Sequence, residues 1–116
     1  MRVAGFGFRH AASLDSLRAA LALAGGDVAA LATAEGKAAG LQALAREMGV
    51  PVIGISVQEM AAQGVPGSDR VRALYGTGSV AEAAALAAAG QGARLVVGRV
   101  TSPDRAVVVA IAEGGL

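Results

Sequence analysis

Apolar positions along the chain alternate between two spacings, one typical of buried strands and one typical of helices. Residues 2–8 form a short apolar run with two glycines, which predicts a buried strand. In the next segment apolar residues recur every three or four positions, which predicts a helix. Its apolar face consists of Leu14, Leu17, Leu21 and Ala24. Ser13 is placed to cap the start of this helix, and Gly25-Gly26 ends it.

The same alternation continues through the middle of the chain. Residues 27–33 predict a second strand, residues 37–48 a second helix closed by Gly49, and residues 52–55 a third strand. Ser56 and Glu59 have the spacing of a capping box, so a short third helix is expected to start there. Residues 63–69 contain glycines and a proline and predict a loop, and residues 71–75 are compatible with a short strand.

The final third of the chain predicts one helix and a pair of strands. Ser79 and Glu82 form a second capping-box pattern, which opens an alanine-rich helix that ends at Gly90. Residues 94–98 and 106–112 are strand-like and flank a turn at 101–104, so they predict a hairpin. The whole order predicts one domain over residues 1–116. We expect a three-layer α/β/α sandwich with a mostly parallel, mixed central sheet and a C-terminal hairpin.

The composition excludes several classes of function and adds little to the prediction of the fold. Hydrophobic residues make up 54% of the chain, which excludes a disordered protein, and a formal net charge of +1 argues against nucleic acid as a partner. The absence of cysteine excludes thiolate catalysis and Cys-ligated zinc, and the single histidine excludes a His-rich metal site. No metal and no cofactor are therefore expected. No apolar run has the length of a membrane helix and no signal peptide is visible, so we expect no membrane association and a cytoplasmic location.

Candidate binding residues follow from a general property of open α/β sheets, whose ligands lie beyond the carboxyl ends of the strands. This rule selects the residues near each strand end or helix start. They are Phe8 and Arg9 for the first strand, Thr33, Glu35 and Lys37 for the second, Gly78 and Ser79 before the last helix, and Arg99 after the strand at 94–98. No serine is accompanied by a histidine and an acid at a recognisable spacing, so no catalytic residue is assigned.

Each candidate segment also has a simpler structural interpretation. Residues 76–81 match the G-x-G-x-x-A pattern of dinucleotide-binding turns, which holds an anion at a helix start, and a glycine turn with a capping box is the alternative. Arg9 offers a rigid fork for a carboxylate or phosphate, and Gly5 and Gly7 would let a ligand approach the backbone; the alternative is a solvated arginine. For Glu35 and Lys37, one interpretation is that they belong to a ligand-binding site. The alternative is a solvated ion pair between them at a helix start.

Four segments, in this order, resemble one family. They are Gly5-Phe6-Gly7-Phe8-Arg9 with Ser13 following, Ala32-Thr33-Ala34-Glu35-Gly36-Lys37 with Gly40-Leu41, Gly78-Ser79-Val80-Ala81-Glu82-Ala83-Ala84-Ala85-Leu86, and Ala110-Ile111-Ala112. Together they are similar to the family of CobE and the C-terminal domain of CbiG, which belongs to cobalamin biosynthesis, and they span nearly the whole chain. The chain departs from the family pattern at Arg99, where a lysine is frequent, and at Val108, where a threonine is frequent.

The resemblance implies a corrin precursor as the ligand, a tetrapyrrole that carries many acetate and propionate groups. Such a ligand needs several spaced cations, helix N-termini and an apolar floor. Arg9, Lys37, Arg99 and the helix start at Ser79 would supply the charges for the ligand that the resemblance implies, and Phe6, Phe8 and Tyr75 would contribute to the floor. It also suggests other cobalamin-biosynthesis enzymes as protein partners.

Three functions are compatible with these residues. The first is a protein that binds a precorrin-type intermediate without catalysis. The second is an enzyme that assists precorrin ring contraction or deacylation, because the longer CbiG proteins are associated with opening a ring lactone and releasing acetaldehyde; Glu35 and Lys37 would then serve as acid and base. The third is a dinucleotide-binding module. The missing nucleophile–base pair favours the first function over the second, and the late position of the glycine motif disfavours the third.

Overall fold

The computed structural model describes residues 1–9, 12–64 and 79–114. The predicted strand at 71–75, the glycines at 76 and 78 and most of the predicted loop at 63–69 lie outside the described residues. The strands are β1 (Arg2–Phe8), β2 (Ala30–Ala34), β3 (Val52–Ile55), β4 (Arg94–Thr101) and β5 (Val107–Glu113). The α-helices are α1 (Leu14–Leu23), α2 (Gln42–Met48), α3 (Val57–Ala61) and α4 (Val80–Ala89), and a 3₁₀ helix spans Glu35–Leu41.

The five strands form one mixed sheet in the order β3-β2-β1-β5-β4. β1 pairs in parallel with β2, and β2 pairs in parallel with β3. β5 runs antiparallel to β1 and β4 runs antiparallel to β5. Two antiparallel steps make β4 parallel to β1, so β1, β2, β3 and β4 all point their carboxyl ends the same way. We call this end of the sheet the carboxyl end.

Helices cover both faces of the sheet. On one face, side chains of α1 and α2 pack against β1, β2 and β5. This cluster includes Leu17, Leu21, Leu44, Phe6, Leu31 and Ile111. On the other face, α3 and α4 pack against β1 and β2, and this cluster includes Met60, Ala83, Ala84, Val3 and Ala32. The predicted three-layer α/β/α fold, with a mixed sheet and a C-terminal hairpin, is confirmed.

Gly5 sets how closely α4 approaches β1. A Cβ added at Gly5 would lie 2.6 Å from the Ala85 backbone nitrogen and closer still to the Ala81 carbonyl oxygen. The chain therefore needs glycine here because the helix backbone occupies the space of a side chain. A Cβ added at Gly7 would lie at an ordinary 3.6 Å from the Val80 side chain, so α4 begins beside the last residues of β1. The interpretation that Gly5 makes room for a ligand is wrong, since α4 fills that space.

Serine caps the start of three helices, and two of these starts form fully as the local sequence predicts. Ser13 caps α1 by accepting a hydrogen bond from the Ser16 backbone N–H. Ser56 and Glu59 form the predicted capping box at α3, with both reciprocal hydrogen bonds present. At α4, Ser79 caps the helix but the Glu82 side chain turns to Arg99 instead, so only half of the second box forms.

Element boundaries differ from the sequence prediction where tertiary contacts decide them. β2 begins at Ala30 because residues 27–29 make the connection from α1. The predicted helix at 37–48 is a 3₁₀ helix followed by α2; its first half contains Gly36 and Gly40, which are weak helix formers. β4 continues to Thr101 through its pairing with β5, so the turn lies at residues 102–106.

Candidate binding site at the carboxyl end of the sheet

Two side chains join β1 to the neighbouring β2 segment at the carboxyl end. The register of the β1–β2 ladder runs to Gly5 opposite Ala32. Beyond that pair, the Thr33 hydroxyl donates to the Phe6 carbonyl at 2.8 Å, and the Lys37 ammonium donates to the Phe8 carbonyl at 2.6 Å. The end of β1 is therefore held in place by hydrogen bonds from side chains.

Thr33 is buried within β2, below the exposed candidate residues of the carboxyl end. The residue is 0% exposed, and its hydroxyl is engaged by the Phe6 carbonyl. A side chain without exposed surface cannot contact a ligand in this conformation. Thr33 therefore fixes the β1 backbone that leads to the exposed candidate residues.

Lys37 is half-buried against Phe8, the last residue of β1. Its nitrogen lies 5.4 Å from the centroid of the Phe8 ring, within the range of a cation–π contact. Lys37 does not pair with Glu35, which is exposed at the first turn of the 3₁₀ helix, so the solvated ion pair that was one of the two interpretations is not formed. The ammonium is instead held by the carbonyl and the ring of one residue.

The start of α4 brings a hydroxyl, an acid and a cation to the same end. Ser79 is 6% exposed, and its hydroxyl accepts the Glu82 backbone N–H at 3.3 Å. The Glu82 carboxylate lies 3.5 Å from the Arg99 Nε, and the Arg99 side chain is half-exposed. Arg99 lies within β4 rather than after it. Its charge is partly offset by Glu82, which also fixes the guanidinium against α4.

Arg9 is the exposed cation at the end of β1. Its backbone N–H donates to the Ala106 carbonyl at 3.3 Å, and its carbonyl accepts the Ala12 N–H at 3.0 Å. The first bond ties the Arg9 backbone to the β4–β5 turn, and the second ties it to the residues before α1. The residue is exposed, and among the described residues its guanidinium makes neither a salt bridge nor a hydrogen bond.

The β4–β5 turn is organised by Asp104, a residue that the sequence did not single out. Its carboxylate accepts hydrogen bonds from the Ser102 hydroxyl at 2.5 Å, the Ala106 N–H at 3.0 Å and the Ser16 hydroxyl of α1. These donors, the Ser102 hydroxyl first, lower the pKa of Asp104 to about 2. Asp104 and Asp15 also line a shallow groove beside α1, and two carboxylates make that groove unsuited to a polyanion.

Residues 2–112 match the family model of the cobalamin synthesis G C-terminus. The chain belongs to this family. It is thus a cobalamin-biosynthesis protein, and the predicted relation to CobE and to the CbiG C-terminal domain is confirmed.

Two solved structures resemble this member of the cobalamin synthesis G C-terminus family. CobE, a protein from the cobalamin (vitamin B12) biosynthetic pathway, superposes with a TM-score of 0.81 at 32% identity, over 97% of this chain and 92% of that chain. The cobalamin biosynthesis protein chiG from Agrobacterium tumefaciens superposes with a TM-score of 0.74 at 36% identity, over 100% of both chains. None of the curated proteins matches the chain.

Most of the predicted binding residues of this family member share the carboxyl end. The structure places Phe8, Arg9, Glu35, Lys37 and Ser79 there, with Thr33 buried below them, and Arg99 reaches the first turn of α4 from within β4 through Glu82. Gly78 and Tyr75 lie outside the described residues, and Phe6 is fully buried in the core beneath α1 and α2, so its predicted place in the apolar floor is wrong. Val108, the second departure from the family pattern, pairs with Gly7 and with Thr101.

Besides Asp104, sequence reasoning missed two supports of this end of the sheet. Gly40 packs against the Phe8 ring, and Glu82 holds Arg99. A glycine inside a predicted helix was a usable signal for Gly40, because such a glycine costs helix stability and needs a reason. Glu82 carried no such signal, since its partner is on a distant strand.

The described residues add two further observations. They include no group of three or more His, Cys, Asp or Glu side chains arranged to hold a metal ion. No helix among them has the length and apolar character needed to cross a membrane.

Proposed function

We propose that this chain binds a precorrin-type tetrapyrrole polycarboxylate at the carboxyl end of its sheet. The observation that supports this most is the shared location of Arg9, Lys37, Arg99 and the start of α4 in a cobalamin-biosynthesis protein. Ring carboxylates need spaced cations and backbone N–H groups, and these groups supply both. The Phe8 ring, next to Lys37, adds an apolar surface for the macrocycle.

The proposed role is binding or assistance rather than catalysis. The Lys37 ammonium already donates to the Phe8 carbonyl, and Glu35 forms no ion pair with it, so the two do not make an acid–base pair. A protein that holds an intermediate serves the pathway by delivering it to the enzymes that modify it. Those enzymes are the protein partners we propose.

The test is a spectroscopic titration of the purified protein with a panel of precorrin and cobalt-precorrin intermediates. We expect a saturable change in the tetrapyrrole absorption with at least one intermediate, and none of comparable affinity with NAD or NADP. Titrations at two salt concentrations separate a defined site from nonspecific charge attraction, which salt screens. Micromolar binding of a dinucleotide without a response to any tetrapyrrole would overturn the proposal.

A further inference from the structure

Lys37 is the one lysine of the chain, and the other nine Lys or Arg side chains are arginines. Its nitrogen contacts both the carbonyl and the ring of one aromatic residue, Phe8. We propose that Gly40 is a positioning residue for Lys37. Gly40 leaves the space in which the Phe8 ring lies, and the ring and carbonyl of Phe8 hold the ammonium where it binds a ligand carboxylate. The last step rests on the proposed function; the positioning itself does not.

Space, rather than backbone conformation, explains the glycine at position 40. A Cβ added there would lie 2.8 Å from the Phe8 Cε2 and 2.9 Å from its Cζ, both well inside ordinary contact. Gly40 is not among the glycines with positive φ, so an L-residue fits its backbone. Gly36, in the same 3₁₀ helix, would meet nothing within 4 Å. Of these two glycines, only Gly40 is required by packing.

Phe8 holds Lys37 through two contacts of different kinds. Its carbonyl accepts the ammonium at 2.6 Å, and its ring centroid lies 5.4 Å from the same nitrogen. An ammonium has three N–H donors, so two remain for a ligand when the carbonyl takes one. The compact charge of lysine suits this narrow position, whereas the planar fork of arginine is broader.

Alanine at position 40 is expected to move the ring rather than the helix. The atoms that it would meet are the far end of the Phe8 side chain, which rotates more easily than backbone moves. A rotated ring removes one of the two contacts that fix Lys37. The fold should therefore survive while the ammonium becomes mobile.

The first experiment needs no ligand. Protein labelled with ¹³C-lysine gives one set of side-chain NMR signals, because the chain has one lysine. In the parent, we expect the Lys37 ε-protons to be shifted by the ring current of Phe8. Gly40→Ala should return them toward the free-lysine position, as Phe8→Leu should, while the matched control Gly36→Ala leaves them unchanged. An unchanged signal in folded Gly40→Ala would overturn the positioning role.

The second experiment measures binding of cobyrinic acid, a corrin with free side-chain carboxylates, by absorption titration. We expect Lys37→Met to weaken binding at least about tenfold, the effect of losing a hydrogen bond between charged groups. Gly40→Ala should weaken it severalfold in the parent and distinctly less in the Lys37→Met background, where only the apolar contact of the Phe8 ring is left to lose. Additive losses in that cycle would show that Gly40 acts independently of Lys37.

The outcomes separate this inference from the proposed function. If the parent binds neither cobyrinic acid nor any precorrin, the proposed function fails, and the NMR signal still decides whether Gly40 positions Lys37. If the parent binds and Lys37→Met binds equally well, the role of Lys37 is wrong while the proposed function stands. If Gly40→Ala does not fold, the double variant Phe8→Leu/Gly40→Ala relieves the crowding and should fold. Its affinity for cobyrinic acid should be within severalfold of the weak affinity of Lys37→Met. Parental affinity of the double variant would contradict the inference.

Discussion

Arg9 is the residue whose removal should change ligand affinity most directly. Its backbone is fixed by Ala106 and Ala12, so its exposed guanidinium starts from a defined point at the carboxyl end. Arg9→Ala removes a hydrogen bond to a charged group, which contributes roughly 1.5–3 kcal/mol. Binding of the tetrapyrrole that the parent binds should weaken by roughly ten- to a hundredfold in an absorption titration. Arg9→Lys should restore only part of the affinity, because a point charge does not reproduce a bidentate fork.

Arg46→Ala is the matched control for Arg9. Arg46 is exposed in the last turn of α2, and α2 runs back toward the start of β3, away from the carboxyl end. Its removal takes away the same charge and should leave affinity unchanged at matched salt. A folded Arg9→Ala protein that binds as tightly as Arg46→Ala would show that Arg9 is a solvated residue at a strand end.

Asp104 gives the molecule an acid-sensitive contact between α1 and the β4–β5 turn. Its pKa falls from 3.8 to about 2 in the folded protein, because the Ser102 and Ser16 hydroxyls and the Ala106 N–H bind the carboxylate. A lowered folded-state pKa contributes stability that is complete above the unfolded pKa and is lost as the pH falls from about 4 to about 2. In urea unfolding at a series of pH values, the parent should lose stability across this window more steeply than Asp104→Asn.

Asp27→Asn, at an exposed acid in the connection after α1, is the control for the loss of one carboxylate as such. Equal slopes for Asp104→Asn and the parent would mean that the Asp104 hydrogen bonds do not persist in solution. Asp104→Asn should also be less stable than the parent at neutral pH, because an amide replaces a charged acceptor of three hydrogen bonds.

At the scale of elements, the contact between α4 and β1 depends on one missing side chain. Gly5→Ala would place a methyl group against the Ala81 carbonyl and the Ala85 nitrogen, which are backbone atoms and cannot move singly. The whole helix must shift, and with it the Ser79 cap and Glu82. We expect the free energy of unfolding to fall by about 1–3 kcal/mol, the usual cost of overpacking, or by more, as measured by urea denaturation.

Gly98→Ala provides the comparison, because an added methyl group on β4 would meet nothing within 4 Å. We expect its stability to stay within about 0.5 kcal/mol of the parent. If Gly5→Ala is as stable as Gly98→Ala, α4 does not lie as close to β1 as described.

Elements with strong local signals were predictable from the sequence, and those shaped by distant contacts were not. β1 and β3 match their apolar runs, and the Ser56–Glu59 box needs only residues within one turn. The sequence predicts an α-helix where the structure has a 3₁₀ helix first, and it does not show that Gly40 packs against Phe8 on another element. Likewise, β4 was predicted three residues short because its end is defined by pairing with β5.

At the scale of the whole molecule, the rule for strand ends located the candidate residues, but it did not describe how they are held. Topology alone brings Arg9, Lys37 and Arg99 to one end of the sheet. The groups that hold this end are far apart in sequence: Ser16 and Asp104 are 88 positions apart, and Lys37 reaches Phe8 across 29. A single sequence carries no pattern for such pairs, so the candidate residues were predictable and their partners were not.

The central strand of this fold is also the first to be synthesised. β1 makes its seven-residue ladder with β5, the last strand, and is covered by α4, which also comes late in the chain. During translation, the edge of β1 that pairs with β5 therefore stays unpaired until nearly all of residues 1–113 have been synthesised. Distant pairing of this kind slows folding, and unpaired strand edges promote aggregation. The nascent chain is thus most vulnerable before β5 emerges, when Lys37 and Phe8 are already made but the sheet that presents them is incomplete.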